Sequence, residues 1–325
     1  MDDRMLHEYR RAPDPRFARD LRERLRRDER RRPVLARGPI RALATACGVA
    51  VVAALFAIPS VRVTAQSFLE LFRVKRFAAV QFDESRIQKL RSLGDKPALL
   101  VFNRQEIVPP GPARYVASRD AASPYVGFRV SAPGYLPEGL AADSIFVEGA
   151  GSMRVTVSEA KLRELLDRLD LRDVTVPSGL DGRWIGVKKP AIVLQRFRSP
   201  RDRQAVLVEA RSPEVSVPSG WDVERLAEIG LRVLGLDEGE ARRIARSTDW
   251  RSTLLVPVPV NASTFRQVTV HGQQGLLITT TGDRAADGRR GRGGSVLLWT
   301  EGDRVFAIEG NLSPPDLMQM AESVS

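Results

Sequence analysis

Histidine and cysteine carry much of the nucleophilic and metal chemistry of proteins, and this chain has almost none of either. Its 325 residues include one cysteine, Cys47, and two histidines, His7 and His271. A zinc site draws three or four ligands from Cys, His and carboxylates, and a Ser–His–Asp triad or Cys–His dyad needs a histidine beside its nucleophile. No Gly-x-Ser-x-Gly elbow accompanies His271. A lone cysteine also excludes an intramolecular disulfide. No catalytic, cofactor-binding or metal-ligating residues are therefore assigned, and the chain is expected not to be an enzyme.

Three further groups of residues could do chemistry. Asp287–Gly294 (DGRRGRGG) is Gly-rich and basic, as a phosphate cradle would be, but lacks the Gly-Lys-Ser/Thr ending of a P-loop. A hairpin loop is the better reading, with contact to anionic lipid as the alternative. Asp167, Asp170, Asp173 and Asp181 lack the Asp-x-Asp-x-Asp-Gly order of a calcium loop. Trp184, Trp221, Trp250 and Trp299 are expected in the core or at its rim, lining an apolar groove only if the sheet that carries them curves around a ligand.

Charge is distributed unevenly. The net charge is +11, and residues 1–41 hold 14 Arg against 8 Asp and Glu, so +6 of it sits in that segment. A locally basic tail on a nearly balanced chain argues against direct nucleic-acid binding. Within the tail, Asp14-Pro15 reads as an N-cap followed by proline at the first helical position. Phe17, Leu21 and Leu25 then recur at i, i+4 and i+8 as a narrow apolar stripe, flanked by the i,i+4 pairs Asp20–Arg24 and Glu23–Arg27. A helix that cannot bury its stripe alone is a candidate partner-binding element.

Residues 42–61, ALATACGVAVVAALFAIPSV, form an uncharged run bracketed by Arg41 and Arg62. Twenty residues at 1.5 Å rise span about 30 Å, the hydrocarbon thickness of a bilayer. The twenty residues before the run carry nine Arg, and the twenty after carry four Lys or Arg. The positive-inside rule then predicts one transmembrane helix in the cell membrane, with a cytoplasmic N-terminus and an extracytoplasmic C-terminal domain. The competing expectation is a cleaved signal peptide, with Val63-Thr64-Ala65 as its small-residue processing site.

These features divide the chain into a basic tail (1–41), a span (42–61), a juxtamembrane helix and Pro-rich linker (62–113) and an extracytoplasmic domain (114–325). Ser67 to Phe77 is read as an amphipathic helix, Ala78–Phe82 as a strand and Glu84–Leu93 as a short helix. Residues 94–113, with Pro97, Pro109, Pro110 and Pro112, are read as linker around a short strand at Leu99–Phe102. Further on, Phe128–Ser131 leads into a proline-rich turn at Ala132–Gly139, and Ile145–Glu148 and Met153–Val157 are read as paired strands around Gly149-Ala-Gly151. Helices are predicted after Ser158, over Asp222–Leu234 and Asp237–Arg246, and after Ser313-Pro-Pro-Asp316. Short strands fill the intervals at Trp184–Val187, Ala191–Phe197, Ala205–Glu209, Thr253–Pro257, Gln267–His271, Gly275–Thr280, Ser295–Trp299 and Arg304–Glu309. Such interspersed hairpins and helices predict an α+β domain with an antiparallel sheet.

Ala132–Gly139, with its Pro-x-x-Leu-Pro-Glu-Gly core, resembles a motif in bacterial extracytoplasmic domains found behind anti-sigma-factor tails. Those domains are similar to lipoprotein-sorting carriers and to periplasmic regulators of envelope-stress sigma factors. His271-Gly272, Leu297-Leu-Trp299, Phe306–Gly310 and Leu317–Ser323 look like the end of such domains, and Pro13–Leu25 looks like the juxtamembrane part of anti-sigma proteins. The resemblance covers roughly residues 114–325 and implies a curved antiparallel sheet partly covered by helices. It implies a transmembrane regulator with a cytoplasmic sigma factor or other regulator as partner of residues 1–41. The alternative it offers is an envelope carrier holding a lipid or lipoprotein in an apolar groove. The chain departs from the pattern in lacking the His-x-x-x-Cys-x-x-Cys zinc motif, and 41 residues are too few for a complete sigma-binding bundle.

Overall fold

In the computed structural model the chain divides into Met1–Gly38 and a compact unit, Pro39–Ser325. The structure describes residues 74–82, 84–93, 101–260, 263–280 and 293–325, all in the second unit. The tail with Phe17, Leu21 and Leu25, the run 42–61 and most of the Asp287–Gly294 loop lie outside the described residues. Among the described residues no helix is long and apolar enough to cross a membrane.

The described region is α+β, with fourteen strands and six helices. The strands are β1 (Arg76–Phe82), β2 (Phe102–Val108), β3 (Arg114–Val116), β4 (Ala141–Glu148), β5 (Gly151–Val157), β6 (Trp184–Lys189) and β7 (Ile192–Arg198). They continue with β8 (Gln204–Arg211), β9 (Glu214–Ser216), β10 (Thr253–Pro259), β11 (Ser263–Val270), β12 (Gln273–Thr280), β13 (Gly294–Glu301) and β14 (Arg304–Gly310). The helices are α1 (Glu84–Ser92), α2 (Arg119–Val126), α3 (Glu159–Arg168), α4 (Val223–Val233), α5 (Glu238–Ser247) and α6 (Pro314–Glu322). Ser118, Ser158, Asp222, Asp237 and Ser313 each cap a helix by accepting a backbone N–H in the first turn.

An eight-stranded antiparallel sheet runs β11-β12-β13-β14-β8-β7-β4-β3, and a four-stranded one runs β2-β5-β6-β9. The two are successive stretches of one ribbon. Glu148 pairs with Ile192 at the end of β4–β7, and Gly151 pairs with Lys189 at the start of β5–β6, so the register continues across the break. The same holds for β7–β8 and β6–β9, where Ile192 faces Ala210 and Lys188 faces Glu214. Each strand changes sheet at a residue that interrupts a ladder: Pro109–Pro112, Gly149–Gly151, Pro190 and Pro213. Gly151 allows the close approach there, since a Cβ would lie 3.0 Å from the Pro110 ring and the Val108 carbonyl.

Several sequence expectations are corrected. Ile145–Glu148 and Met153–Val157 do not pair with each other, because the chain crosses between sheets at Gly149-Ala-Gly151 and each strand finds its partner in β7 or β6. The expected linker contains a full strand, β2, since its prolines flank Phe102–Val108 and leave every ladder N–H in place. Arg76 and Phe77 belong to strand β1, not to a helix. Phe128–Ser131 enters the Ala132–Gly139 turn without regular structure, and the Ser131 backbone is satisfied by side chains. One pairing is parallel: β1 lies along β10, with Val80 opposite Pro257.

Strands β12–β14 are buried on both faces. Leu276, Ile278 and Val296 join the larger core with α1, α3, α4, α5, β1 and β10. Leu277, Leu297, Trp299, Phe306 and Ile308 face the other way and pack under Leu317, Met320 and Ala321 of α6. The rings of Trp299 and Phe306 stack at 5.0 Å. A third cluster seats α2 against β3, β4 and β7 through Val116, Ala122, Val126, Val147 and Val193. Two segments of similar sequence, Val174–Asp181 (VTVPSGLD) and Val215–Asp222 (VSVPSGWD), meet in space: Gly179 and Gly220 share a left-handed φ, 82° and 80°, and Trp221 Nε1 donates to the Gly179 carbonyl.

Candidate functional site

The most polar buried place among the described residues surrounds Glu209. In β8 the residues Ala205, Leu207 and Glu209 share one face, so strand alternation puts a carboxylate where an apolar side chain is expected. Glu209 is 0% exposed, and its neighbours are built to receive it. Arg304 Nη1 donates to Oε1 at 2.6 Å, the Ser131 N–H donates to Oε2 at 2.8 Å, and Ser131 Oγ donates to Oε1 at 3.2 Å. Gln195 Nε2 donates to the Ser131 carbonyl at 2.7 Å. Burial pushes the Glu209 carboxyl above its ordinary range, and the Ser131 N–H and the Arg304 charge pull it back. The cluster fixes the start of the Ala132–Gly139 segment to the sheet.

That segment is a strap over the C-terminus. Ala132 and Ser325 exchange backbone hydrogen bonds at 3.0 Å, and the Gly134 N–H donates to the Ser323 carbonyl at 2.8 Å. Tyr135 and Leu136 pack on the core beneath α6, and Arg203 ties the Glu138 carbonyl to Asp316 at the start of that helix. The motif that carries the resemblance is thus a structural turn that holds α6 in place.

The far end of α6 is held by His271, at the turn between β11 and β12. Its Nδ1 lies 2.7 Å from Glu301 Oε1, which also accepts from Trp299 Nε1, and its Nε2 lies 2.8 Å from the Glu322 carbonyl. Both ring partners are acceptors, so only the imidazolium satisfies both, and the Glu322 carbonyl and Glu301 raise the His271 pKa. A raised histidine pKa gives stability that is complete below the unfolded value and is lost as pH rises through the folded one. We expect the His271 ring to titrate in NMR above the ordinary value of about 6.5, and the protection factors of α6 amides, taken relative to base-catalysed intrinsic exchange, to fall as pH rises through that midpoint. A midpoint at or below the ordinary value would show that the imidazolium is not what holds the helix.

The residues weighed from sequence fall elsewhere. Asp170 pairs with Lys89 at 2.8 Å, Asp173 with Arg232 at 2.5 Å, and Asp181 accepts from the Glu159 N–H at 2.8 Å. Among the described residues no group of three or more His, Cys, Asp or Glu converges to hold a metal ion. Trp250 and Trp299 are buried, with Trp250 Nε1 donating to the Ala245 carbonyl, while Trp184 and Trp221 sit under Arg154 and Arg183. The four tryptophans do not line a common groove. Glu209, Arg304, Ser131 and Gln195 escape a search for catalytic spacing, and their one sequence signal is the charge at the third inward position of β8.

No family model matches this chain, and no curated protein matches it significantly in sequence.

Proposed function

We propose that this chain is a non-enzymatic, single-pass membrane regulator, anti-sigma-factor-like, whose outer α+β domain reads an envelope signal. Residues 42–61 form its span, and residues 1–41 relay the signal to a cytoplasmic partner through Phe17, Leu21 and Leu25. The outer domain is a curved antiparallel sheet, the two-sheet ribbon, partly covered by helices.

The observation that carries this reading is β1. It begins fifteen residues after the apolar run and is built into the domain interior, with Phe77, Val80 and Phe82 buried. The Val74 N–H donates to Ser212 Oγ at 2.7 Å, the Lys75 N–H to the Ser252 carbonyl at 2.8 Å, and Thr300 Oγ1 to the Lys75 carbonyl at 3.1 Å. A tether that only displayed the domain would need no such grip. A segment held by the core changes when the core changes, which is what a relay needs. The carrier alternative needs an open apolar face. Strands β12–β14 instead bear α6 on one face and the larger core on the other.

The test uses the full chain with a different tag at each end, in spheroplasts. The regulator predicts an uncleaved chain with a protected N-terminal tag and a digestible C-terminal domain. It also predicts capture of a cytoplasmic protein that is lost in Phe17→Ala/Leu21→Ala/Leu25→Ala. Release of a soluble fragment beginning near Gln66, with lipid bound to it, would favour the carrier. A tail that captures nothing ends the relay.

A further inference from the structure

Strand β2 has one neighbour, β5, and its other edge closes no ladder among the described residues. From Asn103 to Val108 it is exposed on both faces, with Ile107 58% and Val108 61% exposed. Natural sheets usually guard such an edge with charges, bulges or prolines, and β2 has all three: Arg104 and Glu106, a bulge between Phe102 and Arg104, and Pro109-Pro110 beyond its end. The charges here do not repel a second copy. They are of opposite sign and stand one residue either side of Gln105, the midpoint of the seven-residue strand.

We propose that β2 is a self-association edge, pairing antiparallel with β2 of a second copy about a two-fold axis through Gln105. In that register Arg104 of each copy faces Glu106 of the other on the same face of the sheet, within the regular stretch that follows the bulge. Glu106 already has Arg154 on its inner side, with Nη1 3.2 Å from Oε2, and Arg154 lies 4.7 Å over the Trp184 ring. The joined face would therefore carry alternating charge, reading Arg154, Glu106, then the second copy's Arg104. Because Arg104 and Glu106 keep the same face in both copies, the axis is perpendicular to the sheet and the two four-stranded sheets join into one of eight. The prolines end the pairing at Val108, since they bring no N–H to a ladder.

The other long terminal strand of these two sheets, β11, behaves differently; β3 and β9 have three residues each. Its single charge, Arg266, opposes itself when the two-fold is placed on it and has no acid to meet in neighbouring registers. The acid–base symmetry belongs to β2 alone of the two edges.

A seven-residue ladder buries less than the roughly 1,200 Å² of a stable soluble complex, so the contact is weak and is best captured by cross-linking. The probe is the full chain with Cys47→Ser and single cysteines in β2, treated with a short bismaleimide that spans facing positions and run on denaturing gels. Gln105→Cys stands opposite its own copy, with Cβ atoms about 5 Å apart, and is expected to form dimers. Ile107→Cys alone is offset by four residues, about 13 Å, and should stay monomeric. Adding Arg104→Glu to Gln105→Cys turns two attractive pairs repulsive and should lower the cross-linked fraction about ten-fold. All these positions are exposed, and melting curves verify that each variant is folded. Monomeric Gln105→Cys, or Ile107→Cys alone cross-linking as readily as Gln105→Cys, would overturn the proposal.

Discussion

Replacing Glu209 with alanine is expected to destabilise the domain by about 3 kcal/mol, the lower end of what breaking a buried ion pair costs. The low end applies because the Arg304 side chain is 28% exposed, so part of its charge returns to water. The rest of the loss comes from the Ser131 N–H, which stays buried without its acceptor. Glu209→Gln should cost clearly less, since the amide oxygen still accepts from Ser131. Chemical denaturation followed by tryptophan fluorescence measures both.

The pH dependence separates the two variants further. The folded state raises the Glu209 pKa, so it holds the proton more tightly than the unfolded chain does. The glutamate's contribution is therefore greatest below the unfolded carboxylate value and falls as pH rises through the folded one. The stability of the wild type relative to Glu209→Gln should decline across that window. Equal, negligible losses in both variants would mean that the cluster does not hold the strap.

Much of this architecture is legible in the chain, and the errors share a cause. Helix starts are local: Ser158, Asp222, Asp237 and Ser313 announce their helices through side-chain acceptors a turn away. Strand existence is nearly as local, since β-branched and aromatic runs show it. Strand partnership is not. Gly149-Ala-Gly151 reads as a hairpin turn because a turn and a crossing between sheets need the same permissive residues. The prolines around β2 suggested a linker, yet they only delimit the strand. The Glu209 cluster joins residues up to 173 positions apart, from Ser131 to Arg304, and no spacing rule reaches that far. His271's role in holding α6 required the fold, because its two partners, Glu301 and Glu322, lie 30 and 51 positions away.

Val80→Asp is expected to have the largest effect on the link between the domain and the segment that precedes it. Val80 is 4% exposed and points from β1 into the larger core. An unpaired carboxylate there costs several kcal/mol, about 4 or more, by burial of charge and loss of packing. Gln81→Asp, one residue on and exposed, should change stability by no more than about 0.5 kcal/mol. The two variants differ in which face of one strand carries the charge, so their difference isolates the grip of the core on β1. Because β10 is the one ladder partner of β1 among the described residues, the cheapest response is for that pair to open while the α6-covered core, with Trp299 and Phe306, stays closed. Hydrogen exchange should show β1 and β10 amides exposed and β13 and β14 amides protected. In that state the domain remains folded but no longer holds Val74 and Lys75, and under the proposed regulator reading capture of a partner by residues 1–41 would become insensitive to the state of the domain. Protection of β1 in Val80→Asp would mean that its backbone ladder, not its apolar face, holds it. The coupling would then have to run through another element.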